Sequence, residues 1–292
     1  MLEFIKKNKI KLVSIFTTQK NVEFKILNLF GLQILRYSFS KIMYLISGLF
    51  FYDKKILQNY DENGYLLIDN FLDKDEYIKL KDEFEIIINT KGKNIYDTAT
   101  ATHKNANSSI NHIAYEFQND PEVKVKFPSI NKFYNNVKVC GLFKNAERKN
   151  NINLFMRIER IETKDEFKND ANAYWHADTF HDTHKGWLYL TDVKKENGPF
   201  NYLVGSSRFS FSRMMWEYHN SIQSFLDTSL SYGFLNDKLS HKYEAKKIEV
   251  TCKENSFLMA NTHGYHRRGD AEPNQIRDGF AFYVRENPFK KF

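Results

Sequence analysis

The sequence predicts a mainly β domain with flanking helices (an α+β arrangement), preceded by a basic, helix-prone extension. Three observations carry this reading. Short apolar or alternating runs recur from residue 153 to 285, separated by turn-forming residues. Aromatic content is 16%, with 26 Phe and 17 Tyr, and such planar side chains favour strands. Helical spacing is confined to a few segments, of which one, 209–234, interrupts the strand-rich half. Several short strands around a late insertion suit one antiparallel β domain with helices packed outside.

The elements follow in chain order. Residues 1–52 mix lysines with apolar residues, and the longest uncharged run, Ile42 to Tyr52, is 11 residues. That is short of the roughly 20 needed to span a bilayer. No sustained apolar stretch with a small-residue cleavage site follows the first lysines, which argues against a secretory leader. Two readings fit: a helix pair packed on the domain, or a basic amphipathic surface in peripheral contact with an anionic membrane. The extension is placed at 1–57 and the domain at 58–292.

Gly64 to Asp69 reads as an apolar strand. Asp73 with Glu76 three residues on looks like a capping box, opening a helix from Lys74 to about Ile88 with Tyr77, Leu80, Phe84 and Ile87 on one face. The polar segment 91–109 is expected to be a loop able to cover a pocket. Pro128 opens a second helix, with Phe127, Ile130, Tyr134 and Val137 turned inward. Asn153 to Glu162 alternates as a strand, and Lys185 to Val193 is apolar on both faces, as in a strand within a sandwich or barrel. A turn at Asn197-Gly198-Pro199 leads to a strand from Phe200 to Val204. After the insertion come strands at Lys247–Thr251, Ser256–Ala260 and Gly279–Arg285.

Bulk properties narrow the function classes. The net charge is +7, but residues 1–52 hold eight Lys/Arg against Glu3 and Glu23, so the domain itself is close to neutral. A nucleic-acid partner is therefore not expected. Cys140 and Cys252 have neither CxxC nor scaffold spacing, which excludes a disulfide framework or a cysteine zinc site and fits a reducing cytoplasm. The oligomeric state is not legible.

Chemistry concentrates in Trp175-His-Ala-Asp178. On an extended segment His176 and Asp178 share a face, and one imidazole with one carboxylate is two thirds of a 2-His-1-carboxylate Fe(II) site. A second histidine must come from downstream, where Asn261-Thr-His-Gly-Tyr-His266 offers His263 and His266. Arg277 follows His266 with ten residues between. After a turn through 269–274 it starts a strand beside the metal, where a guanidinium can grip a carboxylate bidentately. This spacing favours His266 over His263. His181 and His184 read as exposed or outlying groups, and Arg157 and Arg160 as solvated or, if turned inward, as anion-binding residues. Trp187 reads first as core.

These motifs resemble the phytanoyl-CoA dioxygenase type of Fe(II)- and 2-oxoglutarate-dependent oxygenases. The resemblance rests on Trp175-His-Ala-Asp178, Trp187 to Val193, Glu196-Asn-Gly-Pro-Phe200, Val204-Gly-Ser-Ser207, and Gly264-Tyr-His266 to Arg277. It is supported by Glu62-Asn-Gly-Tyr65 and Asn70-Phe-Leu-Asp73, and it spans residues 58–287. It implies a double-stranded β-helix (jelly-roll, cupin-like) with His176, Asp178 and His266 on iron and Arg277 on the 2-oxoglutarate C5 carboxylate. Arg268, Trp187 and Arg157 are further candidates for cosubstrate contact. Val204 and Ser207 depart from that family's usual Pro-Gly-Ser-His in a stretch that does not ligate metal. The implied reaction takes Fe(II), 2-oxoglutarate and O2 and hydroxylates an unactivated C–H of a small-molecule or lipid- or glycan-linked substrate, releasing succinate and CO2. Asp178 argues against halogenation, which needs that position for halide. The alternatives are a desaturase or epimerase using the same residues, or a non-catalytic jelly-roll binding or sensor protein.

Overall fold

The computed structural model describes residues 16, 25–53, 55, 57, 59–97, 109–117, 121–164, 170–226, 234–235 and 246–290. Helices are α1 (Lys25–Leu29), α2 (Leu32–Phe51), α3 (Tyr60–Asn63), α4 (Lys74–Lys91), α5 (Pro121–Lys126), α6 (Pro128–Tyr134), α7 (Val137–Glu147) and α8 (Phe211–Leu226). Strands are β1 (Tyr65–Ile68), β2 (Lys93–Asn94), β3 (Ile110–Glu116), β4 (Leu154–Thr163), β5 (His184–Tyr189), β6 (Phe200–Leu203), β7 (Lys247–Val250), β8 (Phe257–Asn261), β9 (His266–Arg268) and β10 (Ile276–Val284). Seven strands form one sheet in the order β1-β8-β5-β10-β4-β3-β2, and three form a second in the order β7-β6-β9. Every pairing is antiparallel. The mainly β architecture with jelly-roll sheets and outer helices expected from the sequence is the one observed.

The alternation of β4 and β10 explains how the two layers separate. Met156, Ile158, Phe280 and Phe282 point to one face and join Leu80, Phe84, Ile130, Phe143 and Phe257 in the larger core, beneath α4 to α7. Arg157 and Glu159 point to the other face, toward the small sheet. There Tyr189, Phe200, Tyr202, Val250 and Leu258 form a smaller core. Cross-strand pairing sets residues from different strands side by side. Ala281 lies opposite both Arg157 and Trp187, and Gly279 opposite both Glu159 and Tyr189. A Cβ on Gly279 would come within 2.5 Å of the Leu188 carbonyl oxygen, so this row needs glycine at its centre.

Helix α4 buries Tyr77, Leu80, Phe84 and Ile87, as its spacing predicts. Its capping box does not form: the Asp73 side chain caps nothing, and Glu76 instead pairs with Lys132. The helix opened by Pro128 is shorter than its pattern suggests. It stops at Tyr134, Asn136 caps a fresh helix through Lys138 N and Val139 N, and Val137 therefore lies exposed at the start of α7. Phe133 takes the inward place together with Phe127 and Ile130. Of the polar segment 91–109, residues 93–94 pair with β3, while 98–108 lie outside the described residues. The insertion is helical over Phe211–Leu226, and 227–233 lie outside the described residues. Among the described residues no helix is long and apolar enough to cross a membrane.

Candidate metal centre

Segment 174–178 is not a regular strand. His176 makes isolated bridges to His266 and to Phe234. The bridge to His266 is reciprocal, with His176 N to His266 O at 3.0 Å and His266 N to His176 O at 2.9 Å. Asp178 N donates to Thr262 O at 3.0 Å. Three backbone bonds thus clamp the His-x-Asp motif against the chain that carries the second histidine. The Leu235 amide closes the far side by donating to Trp175 O at 2.8 Å, so the end of the insertion returns to the site.

His266 owes its position to close packing one turn earlier. A Cβ on Gly264 would lie 1.9 Å from the Tyr202 hydroxyl, which donates to Asn261 O at 3.0 Å. Only glycine lets the backbone pass that ring. The next residue is tied as well, since Tyr265 N donates to Ser206 Oγ at 2.8 Å. Gly205-Ser206-Ser207 thus supports the loop from behind.

One potential ligand atom from each of His176, Asp178 and His266 lies within 4.8 Å of the others. His266 Nε2 is 3.7 Å from Asp178 Oδ2, and His176 Nε2 is 3.9 Å from Asp178 Oδ1. Each imidazole is oriented by its other nitrogen. Nδ1 of His176 donates to Tyr174 O at 2.7 Å, and Nδ1 of His266 to Gly264 O at 2.9 Å. That tautomer leaves both Nε2 lone pairs facing the carboxylate, the second-nitrogen arrangement typical of metal-bound histidine. Electrostatics agree. Burial, then the neighbouring His176, push the His266 pKa down to about 3, so this imidazole is neutral and able to ligate. Burial works to raise Asp178, but the Lys185 ammonium and both imidazoles outweigh it and hold the carboxyl well below the usual range. Two imidazoles and one carboxylate fit Fe(II).

A cavity of about 250 Å3 adjoins the three residues and is lined by the sheet row described above. Arg277, Arg268, Trp187 and Arg157 all reach it. Arg277 donates from Nη1 to Gly198 O, at the turn where φ is +66°, and burial lowers its pKa from the ordinary value. Arg268 pairs with buried Asp170 at 2.9 Å, and Arg157 pairs with Glu116. Trp187 belongs both to the smaller core and to the wall, with its ring 5.3 Å from Phe200. Arg160, by contrast, lies on the opposite face of β4, paired with Asp278 and Glu85.

His263, His181 and His184 fall outside this group. His263 is fully buried, with Nδ1 3.3 Å from Lys41 Nζ, and is not part of the His176–Asp178–His266 group. His181 and His184 are buried and not exposed; His184 Nδ1 bonds Glu147 Oε1 at 2.8 Å within the core. Backbone alternation explains this, because His184 points away from the face that carries Lys185 and Trp187.

Sequence reasoning passed over Lys185, whose ammonium is 2.8 Å from Asp178 Oδ2. It also passed over Glu159 and His112, which pair at 3.0 Å on the cavity wall. Spacing could have found the first two: Lys185 stands two residues before Trp187, and Glu159 two after Arg157.

Several solved structures share this fold. The epimerase SnoN from nogalamycin biosynthesis, in complex with Fe3+, alpha ketoglutarate and nogalamycin RO, is 13% identical over 80% of this chain and 83% of its own, with a TM-score of 0.51. The carbocyclase SnoK from nogalamycin biosynthesis is 14% identical over 80% and 83%, with a TM-score of 0.50. EctD from S. alaskensis, with 2-oxoglutarate and 5-hydroxyectoine, is 16% identical over 81% and 79%, also at 0.50. At such identities the likeness is one of fold. No curated protein matches the chain by sequence. The family profile described as Phytanoyl-CoA dioxygenase (PhyH) matches residues 60–253, more than half of the sequence, which takes in the His-x-Asp motif and most of both sheets. The chain belongs to the phytanoyl-CoA dioxygenase family of Fe(II)- and 2-oxoglutarate-dependent enzymes.

Proposed function

We propose that this enzyme hydroxylates an unactivated C–H of a small molecule, with His176, Asp178 and His266 holding Fe(II) and Arg277 anchoring the distal carboxylate of 2-oxoglutarate. The observation that carries the reading is the convergence of two Nε2 atoms and the Asp178 carboxylate beside a cavity that the half-buried Arg277 also lines. Bound iron would supply the oxidising chemistry, in which 2-oxoglutarate and O2 become succinate and CO2 and the second oxygen atom enters the substrate C–H bond.

The chain's own residues do the rest. The backbone bonds of His176 and His266 fix both imidazoles before metal arrives, which limits the ordering cost of binding. Lys185 balances the Asp178 charge until a cation replaces it. Arg277 presents a half-buried guanidinium on the cavity wall, where a carboxylate is held more strongly than in open water. Trp187, Tyr189 and Phe200 supply the aromatic part of the cavity wall. The alternatives of desaturation and epimerisation use the same ligands, and an epimerase and a carbocyclase share the fold.

The test is to screen small molecules by 2-oxoglutarate-dependent succinate release and weigh the product. A product one oxygen atom heavier supports hydroxylation. A product two hydrogens lighter, or one of unchanged mass, means desaturation or epimerisation. Absence of Fe(II)-dependent 2-oxoglutarate binding in calorimetry would overturn the enzymatic reading.

A further inference from the structure

Helix α2 is inside out. Its buried positions are Gln33, Arg36, Tyr37, Ser40, Lys41, Tyr44 and Ser47, all of them polar or tyrosine. Its outward positions are Leu35, Phe39, Ile42, Leu45, Ile46 and Leu49, with Leu35 67% and Leu49 82% exposed. Those apolar residues fall within one stripe at helical spacing along the 20-residue helix. Both charges of the helix, Arg36 and Lys41, are on the buried side, so the outward stripe carries none.

The orientation is locked by specific partners. Lys41 Nζ bonds both oxygens of buried Asp182, at 2.9 and 2.8 Å, and Ser207 O at 3.0 Å. Arg36 lies 4.2 Å over the Phe180 ring. The Tyr44 hydroxyl donates to Ala146 O at 2.9 Å. Turning the apolar face inward would strand Asp182 in the interior without its cation, which is far more costly than exposing leucines. The exposed apolar surface continues through Leu29 and Phe30 before the helix and Phe209 beside Tyr37. Contiguous bare apolar surface marks an interaction site more often than singly scattered exposed leucines do.

We infer that this stripe is a docking face for an anionic membrane surface, with α2 lying in the plane of the interface. Charge selects lipid over a second copy of the chain. The residues before α2 carry Lys6, Lys7, Lys9, Lys11, Lys20 and Lys25 against Glu3 and Glu23. A second copy of the chain would only add more of these cations, whereas anionic headgroups neutralise them. The inference does not depend on the chemistry at the metal centre. It assigns the extension 1–57 a role of its own.

The experiment is flotation of the full chain with vesicles of phosphatidylcholine, alone or mixed with phosphatidylglycerol, alongside size-exclusion light scattering without lipid. The wild type floats with the anionic vesicles and is monomeric in solution. L45E/L49E keeps the same melting temperature and loses about tenfold or more of the bound fraction, because two leucines leave the apolar contact. L35E gives a second, independent reduction. K6Q/K7Q/K9Q/K11Q weakens binding to the anionic vesicles and flattens its salt dependence. Three results would overturn the inference: a wild type that stays with the soluble fraction, variants that float equally well, or a solution dimer that L45E/L49E dissociates. The last would mean that a second copy occupies the face.

Discussion

His176 and His266, ninety residues apart in sequence, exchange both of their backbone hydrogen bonds, and their ring centroids lie 4.4 Å apart. The pairing makes one rigid unit of two segments that each carry a potential ligand. Because each Nδ1 is also tied to a nearby carbonyl, the two Nε2 atoms are aimed by the backbone itself. Loss of one side chain should therefore remove a ligand without loosening the other.

H176A, D178A or H266A should each lower Fe(II) affinity by roughly a hundredfold or more, beyond the range seen when only a supporting hydrogen bond is lost. Calorimetry under anaerobic conditions measures it. Succinate formation should vanish in all three while their thermal unfolding shifts little, and retention of turnover in H266A would transfer the ligand role elsewhere.

Arg277→Ala should separate metal from cosubstrate. Fe(II) affinity should stay within a few-fold of wild type, while 2-oxoglutarate binding weakens by about two orders of magnitude, the scale of a lost charge-assisted, bidentate contact. A variant with unchanged 2-oxoglutarate affinity would remove Arg277 from the proposed anchor.

Lys185 competes with a cation for Asp178. K185M should accordingly bind Fe(II) more tightly, by about three- to tenfold, since the metal no longer displaces an ammonium at 2.8 Å. Weaker metal binding in K185M would contradict this view of the pair and point to a supporting role for the lysine.

Glu159 yields a pH dependence with a definite sign. Burial works to raise its pKa, but the hydrogen bond from His112 and the charges of Arg157 and Arg277 bring it down to about 2, from 4.5. A carboxyl with a lowered folded pKa stabilises fully above its unfolded value, and the benefit disappears as pH falls from about 4.5 toward 2. Urea unfolding of wild type and E159Q should therefore show a stability gap that shrinks by about 3 kcal/mol across that window, on the order of 1.4 kcal/mol per unit. A gap independent of pH would mean that the His112 pairing does not stabilise the fold.

Lys41 anchors α2 through a buried ion pair, so K41M should cost about 3–5 kcal/mol by leaving Asp182 without a counter-charge. K41M/D182N should recover part of that loss. Equilibrium unfolding reads both, and an unchanged midpoint in K41M would show that the helix is held by other contacts.

Much of this protein was legible one residue at a time. Period-two alternation over 153–162 put Met156 and Ile158 on one face of a strand and Arg157 on the other, because strand geometry is local. The His-x-Asp pair and the His266-to-Arg277 spacing were readable for the same reason. Each lies on a short stretch whose side-chain direction follows from its own backbone, and the family resemblance joined the stretches. Where a local rule competed with long-range partners, it failed. The Asp73 capping box gave way to a Glu76–Lys132 pair between two helices. Glu159 on His112 depends on β3 and β4, far apart in sequence, coming into register. The clearest case is α2. Its sequence shows an amphipathic helix but not which face is inside, and by hydrophobicity alone Leu35, Ile42 and Leu49 should be buried. Tertiary structure decided otherwise, because Asp182 sits in the interior and its charge is answered by Lys41.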